Sequence, residues 1–311
     1  GQGFSNSLTQ YDDFSPGSLY DPANLEPMSL KVDSFHVQFL KSGPHQGQPV
    51  DFGADITYRE TPSAQPHQYR LAVNDPLTLH GVSVYLVGHG YAPKLTVRDG
   101  NGDVAYSGPV IFLPQDASFA SFGVLKVPDA QPQQLGFEGM FFPTYSFTMA
   151  RGPFSVFPDA LNPAISMLAY HGDLGMDAGK PQSVFDLDTS HLAKFKRPDG
   201  RDLRLDMVPG KKITLPNGLG SVRFDGWQRW VKLQVSNSPG KGIALTGMVL
   251  ALVGLTGSLF IRRRRTWVRV TRRDGRSYVE VAGLDRSSLA EGLEAEVRGV
   301  ADATVAAGRL A

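Results

Sequence analysis

The uninterrupted apolar stretch from Gly242 to Ile261, followed at once by four arginines, Arg262, Arg263, Arg264 and Arg265, constrains this chain more than any other feature. Twenty helical residues at about 1.5 Å rise span the roughly 30 Å hydrocarbon core of a bilayer. The stretch holds no Asp, Glu, Lys, Arg or His. Its ten Leu, Ile, Val and Phe residues favour insertion by roughly 0.3–0.6 kcal/mol each. Four glycines and two threonines erode that gain. A surface helix of a soluble core would carry a polar face, and none is present. The pattern predicts one transmembrane helix over 242–261. Within it Gly247, Ala251, Gly254 and Ser258 form a stripe of small residues that lets another helix approach closely.

The arginines set a direction. Residues 262–276 carry eight Arg and one Asp, whereas 227–241 carry only Arg229, Lys232 and Lys241. The positive-inside rule then places the carboxyl-terminal tail in the cytoplasm and everything before the helix outside. A nucleic-acid patch is the rival reading of a basic run, and its position against a membrane helix argues against a nucleic-acid partner. The net charge of +1 hides the asymmetry. There is no cysteine, so the chain's own disulfides, thiolate metal sites and thiol redox chemistry are excluded. The chain opens Gly-Gln-Gly with no signal-peptide pattern. An outward-facing domain needs export, so upstream segments are expected.

Before residue 236 the punctuation is that of a β domain, with 34 glycines and 22 prolines in the chain as a whole. Phe35 to Phe39 alternates apolar and polar, and Val82 to Val87 reads as a denser, central strand. Leu95–Arg98 and Val104–Tyr106 flank Asp99-Gly100-Asn101-Gly102, a strong hairpin signal. Asp199-Gly200 and Asn217-Gly218 mark further turns, and Trp230–Val235 reads as a strand. Asn162-Pro163 through Tyr170 is the best helix candidate, a cap followed by proline, and fits a strand as well. The expected fold is mainly β: an extended lead-in over 1–32, then an antiparallel β-sandwich or open barrel over 33–236. The tail, 262–311, is expected to be a small α+β unit. Its strands flank Asp274-Gly275, and a capping box of Ser288 and Glu291 opens a helix with Leu289, Leu293, Val297 and Val300 on one face. That helix docks either on the hairpin or on the membrane surface.

Three passages resemble the ResB family of cytochrome c biogenesis proteins, from the bacterial system II. The first runs from Val73-Asn74-Asp75-Pro76-Leu77 through Gly81–Tyr85 to Gly88-His89-Gly90-Tyr91. The second runs from Asn162-Pro163 through Tyr170–Gly175 to Pro181-Gln182-Ser183-Val184. The third is the last helix with Arg262–Arg265 and Trp267-Val268-Arg269. The resemblance implies further membrane helices before residue 1 and a large extracytoplasmic domain in the bacterial cytoplasmic membrane. It also implies a ResC/CcsA-type partner that handles haem for attachment to apocytochrome c. Haem is then a cofactor reached through the complex, with none evident in this stretch of chain. A cysteine-free chain is neither the client nor its thiol reductant, which another protein must supply.

Axial haem ligation calls for His or Met in an apolar pocket. Among seven histidines, His89 stands out, because strand alternation puts it on the face of Tyr85, Val87 and Tyr91. His89 and Tyr91 are thus candidate haem- or client-binding residues, or His89 is a strand-end histidine hydrogen-bonded to backbone. His171, beside Tyr170, is the third candidate, or a turn residue. No His-x-x-x-His spacing supports a metal site. Asp173, Asp177, Asp186 and Asp188 fit Gly/Asp-rich turns, and there is no nucleophile elbow or phosphate loop, so no catalytic residue is predicted. The leading expectation is a non-catalytic or co-catalytic subunit of a haem-delivery complex. The alternative is a membrane-anchored β-sandwich that binds peptide, glycan or a neighbouring surface protein.

Overall fold

The computed structural model describes residues 3–17, 20–21, 25–176, 183–260, 265–284 and 292–308. Asp177, Pro181, Gln182, Ile261, Arg262, Arg263, Arg264, Ser288, Leu289 and Glu291, all invoked above, lie outside the described residues. The chain divides into two units, Gly1–Asn237 and Ser238–Ala311.

Among the described residues the first unit contains three larger sheets, antiparallel throughout. One has the order β1 (Gly3–Ser5), β2 (Ser29–Phe39), β3 (Pro49–Arg59), β4 (His67–Ala72). The second is built on β6 (Val82–Arg98), edged by β5 (Leu77–Leu79) and β7 (Val104–Pro109). Its other half is β16 (Lys212–Thr214) and β17 (Ser221–Asn237), the latter pairing with β6. The third sheet starts with β8 (Leu113–Pro114), β9 (Ser121–Val127) and β10 (Gln134–Phe142). It continues through β13 (Ala164–Gly172), flanked by β14 (Leu192–Lys194) and β15 (Arg204–Met207). A separate two-stranded ribbon joins β11 (Tyr145–Thr148) to β12 (Gly152–Ser155). Among the described residues none of the sheets closes into a barrel, so the mainly β fold is realised as packed open sheets. β2 begins inside the stretch read as a lead-in, and β1 adds to its edge.

The 17-residue strands β6 and β17 form the spine. Val82, Val84 and Leu86 of β6 pack with Leu30, Ala54, Ile56 and Leu71 against the four-stranded sheet. Farther along, Tyr91, Leu95 and Val97 join Val222 and Phe224 of β17 in a larger core with Phe112, Phe137, Phe141, Ile165 and Met167. Two bulges keep one face inward throughout. Val87 is the unpaired extra residue between Leu86 and Gly88, and Asp225 the one between Phe224 and Gly226. Bulges bend and twist a strand, which suits a ribbon that serves two sheets.

Local signals were realised where they were strong. At the Asp99 turn the carboxylate accepts the amides of Asn101 and Asp103, both at 3.0 Å, and of Gln131 at 3.2 Å. The ambiguous segment after Asn162 is strand β13. Its Ile165, Met167 and Ala169 enter the large core, while Leu168 and Tyr170 meet Val124, Leu174 and Leu187 on the other face. That two-residue period decides against a helix.

In the second unit, α1 (Lys241–Phe260) is long and apolar enough to cross a membrane, and none of it is buried within the protein. Ile243, Leu245, Leu250, Val253 and Leu259 are all more than 60 % exposed, and Gly247, Ala251, Gly254 and Ser258 on the remaining side are exposed as well. Thr246 and Thr256 donate to the carbonyls of Gly242 and Leu252 at 2.9 and 2.8 Å, so neither hydroxyl is left unsatisfied in lipid. Next come β18 (Arg265–Arg273) and β19 (Arg276–Leu284), joined by Asp274-Gly275 with φ of 50° and 73°. Two left-handed residues match the twist of a tight hairpin. Helix α2 (Leu293–Gly308) docks on the hairpin at Gly283, where a Cβ would lie 2.7 Å from Val297 and 2.9 Å from Leu293. The hairpin is therefore the seat of this amphipathic helix.

Candidate functional site

Midway along the spine, between the two cores, the inward face turns from aliphatic to polar. The register sets His89 opposite Val231 and Tyr91 opposite Arg229. Alternation along an unbroken strand groups His89 with Tyr85 and Val87. The bulge at Val87 corrects that grouping: His89 keeps Tyr91 as a face-mate but joins Val84 and Leu86, leaving Val87 47 % exposed.

His89 sits in a cage of phenylalanine rings. Phe119 stacks on it at 4.8 Å and 13°, and Phe35, Phe52 and Phe39 surround it at 5.0, 5.8 and 6.5 Å. Its Nδ1 is buried without a hydrogen-bond partner among the described residues. Among the described residues that nitrogen is not tied to backbone, as the plainer of the two sequence readings would have it. Leaving a buried polar atom unpaired costs about 1–3 kcal/mol, and such an atom in a native fold calls for an explanation. Burial, reinforced by the Arg229 guanidinium, pushes the His89 pKa down to about 4, so the ring is neutral near pH 7. Phe119 itself has a φ of 57°, an unfavourable region for a bulky side chain. An Asp116 turn holds it there, the carboxylate accepting the amides of Ser118 and Ala120 at 2.9 and 3.1 Å. Strain of this kind gathers where a side chain must be aimed.

Beside the cage lies a charged network. Arg229, its side chain 12 % exposed, donates from Nη2 to the Tyr91 hydroxyl and to Asp159, both at 2.8 Å. Tyr91 in turn donates to the Pro158 carbonyl at 2.7 Å. Burial raises the Tyr91 pKa well above the ordinary phenol value, against the opposing pull of Arg229. The guanidinium lies over the Tyr91 ring at 4.5 Å and nearer the edge of the cage over Phe39 at 5.8 Å. Its Nη1 is buried and has no partner among the described residues. On the reverse of the ribbon, Trp230 donates to the carbonyls of Tyr91 and Phe112, both at 3.1 Å. Gly90 makes room for its indole, since a Cβ there would lie 2.5 Å from the ring.

The three predicted residues do not converge. His89 and Tyr91 share the junction. His171 pairs with Leu135 at the far end of β10 and β13, whereas Phe141, which touches Tyr91, pairs with Ile165. Six residues of strand, about 20 Å, separate those positions. His171 Nδ1 lies 2.7 Å from Gln133 Oε1, and its ring packs on Phe195 at 4.7 Å. Gly247, Ala251, Gly254 and Ser258 are exposed along α1, and Arg265 opens β18. The cage phenylalanines, Arg229 and Asp159 were not singled out by sequence. Only the paired glycines around His89, at 88 and 90, hinted at close packing there.

The site can present one neutral nitrogen donor amid apolar rings, with an adjacent guanidinium that retains an unused N–H. Among the described residues no three His, Asp or Glu side chains gather as a metal site. The family model of the ResB-like family matches residues 1–298, covering the β unit, the apolar helix and most of the tail. No curated protein and no solved structure shows a significant match. With the match extending over nearly the whole chain, this protein belongs to the ResB-like family, membrane proteins of cytochrome c biogenesis.

Proposed function

We propose that the chain is a subunit of a haem-delivery complex that presents haem to apocytochrome c outside the cytoplasmic membrane, together with a ResC/CcsA-type partner. The observation that carries this reading is the family match across both units. The eight arginines in 262–276 support an orientation with the β unit outside and the tail in the cytoplasm. The absence of cysteine supports a division of labour in which another protein reduces the client thiols.

Within that role His89 is the candidate haem contact. An unpartnered, neutral imidazole among apolar rings has the chemistry to hold haem iron, and the spare Arg229 N–H would suit a propionate carboxylate. Haem, when bound, would supply the iron for that ligation. His171, held by Gln133, takes no part in this assignment.

Deleting the gene and staining c-type cytochromes for haem tests the function, with strong loss expected. Normal staining rejects it. For the contact, the full-length chain purified with its partner should show a Soret band that falls in His89→Gly and returns with added imidazole. A Soret band unchanged in His89→Gly rejects the contact alone, and no band in the intact complex favours the surface-binding alternative.

A further inference from the structure

Arg265, Trp267, Arg269, Thr271 and Arg273 alternate along β18, so they share one face of the hairpin. The register places Leu284, Ala282, Glu280, Tyr278 and Arg276 opposite them on that same face. The other face carries Gly283 and receives α2. The first face thus displays four arginines with Trp267 and Tyr278, which are 48 % and 52 % exposed. None of these arginines is ion-paired among the described residues. Even Glu280, directly opposite Arg269, makes no such pair with it. A soluble hairpin normally offsets so much like charge with neighbouring carboxylates.

The chain itself indicates the occupant. Five residue steps separate Phe260, the end of α1, from Arg265, and they reach at most about 18 Å. The hairpin therefore begins close enough to the end of α1 to reach the headgroups of any bilayer that α1 crosses. Exposed Trp and Tyr beside arginine is the side-chain combination that settles at that interface, and basic segments next to a membrane helix attract anionic lipid.

We propose that this face of the β18–β19 hairpin binds the anionic phospholipid headgroups of the bilayer crossed by α1. The arginines take the phosphates, Trp267 and Tyr278 enter the interface, and α2 covers the opposite face. The inference holds whichever side of the membrane the tail occupies, and it does not depend on a haem contact at His89.

The cysteine-free sequence makes the test direct. Thr271→Cys puts a single environment-sensitive fluorophore on the basic face of the full chain. The chain is then reconstituted in nanodiscs of phosphatidylcholine alone or rich in phosphatidylglycerol. Emission is expected to shift to the blue only with phosphatidylglycerol, and to revert in high salt. Reversing three charges, R269E/R273E/R276E, lowers the apparent affinity for phosphatidylglycerol by at least roughly a hundredfold, at about fivefold per arginine for the lost attraction alone. R269K/R273K/R276K retains the shift. Identical spectra in the two lipids, or a shift that survives charge reversal, overturns the proposal. So does a larger shift when an RNA oligonucleotide is added to the phosphatidylcholine discs.

Discussion

The inner face of the β6–β17 ribbon meets two unlike sheets. At one end it faces a core rich in fully buried aromatics, with Phe112, Phe137, Phe141 and Phe224 all at 0 % exposure. At the other it faces the four-stranded sheet, whose buried core is aliphatic and whose aromatics Phe35, Phe52, Tyr58 and Tyr69 stay partly exposed. The same two strands are therefore clamped at one end and more lightly covered at the other, where Val84 and Leu86 of β6 are buried but Val231, Leu233 and Val235 of β17 stay partly exposed. Residues that could open on a ligand belong to the lightly covered side, and Phe35 and Phe52 of the His89 cage come from it. Phe119 and Arg229 contribute from the clamped side and its edge. The site combines a fixed half with a yielding half.

Truncation should separate the halves most sharply. Leu135→Ala, in the aromatic core, is expected to cost about 4 kcal/mol and to lower the midpoint of global unfolding by urea. Leu71→Ala, the same truncation in the thinner core, should cost about 2.5 kcal/mol. Equal losses would erase the contrast.

Acidification probes the junction next. Because the folded pKa of His89 lies below its unfolded value of 6.5, the unfolded chain binds the extra proton between these values. Stability from the neutral ring is complete above pH 6.5 and is lost as pH falls toward about 4. The loss amounts to up to about 3 kcal/mol. Denaturation followed across that window should show the slope, and His89→Phe should flatten it; a slope unchanged in the variant would assign the effect elsewhere.

Arg229→Met removes the cation that bonds Tyr91 and Asp159 while filling similar space. A cost of about 2 kcal/mol is expected, moderated because Asp159 is partly exposed to water. Amide exchange should then quicken first in β2 and β3, the lightly covered strands; faster exchange in β10 instead would contradict the comparison. The smallest effect on folding belongs to Gly247→Leu with Gly254→Leu. Both glycines have open space where a side chain would project, so stability should hold while recovery of the partner in detergent falls. Undiminished co-purification would leave the small-residue stripe without a role.

The parts of this molecule written in local pattern were legible. The apolar helix, the Asp99 and Asp274 turns, and Leu293 and Val297 on one helical face all depend on neighbours a few residues apart. The candidate site was legible only at its centre. Gly88-His89-Gly90-Tyr91 drew notice, but its surroundings come from β2, β3, the loop before β9, the loop after β12 and β17. No spacing in the sequence foretells that meeting. Parity failed for a specific reason: alternation assumes an unbroken strand, and the extra residue at Val87 shifts the count by one.

That extra residue also offers an unusually clean instrument. With Val87 removed, Leu86 and Gly88 would become ordinary neighbours, and each side chain beyond them would keep the side of the ribbon it now occupies. Only the local bend would go. A one-codon deletion could thus divorce the identity of the groups around the imidazole from the curvature that gathers them, something no replacement of His89 or its phenylalanines can achieve.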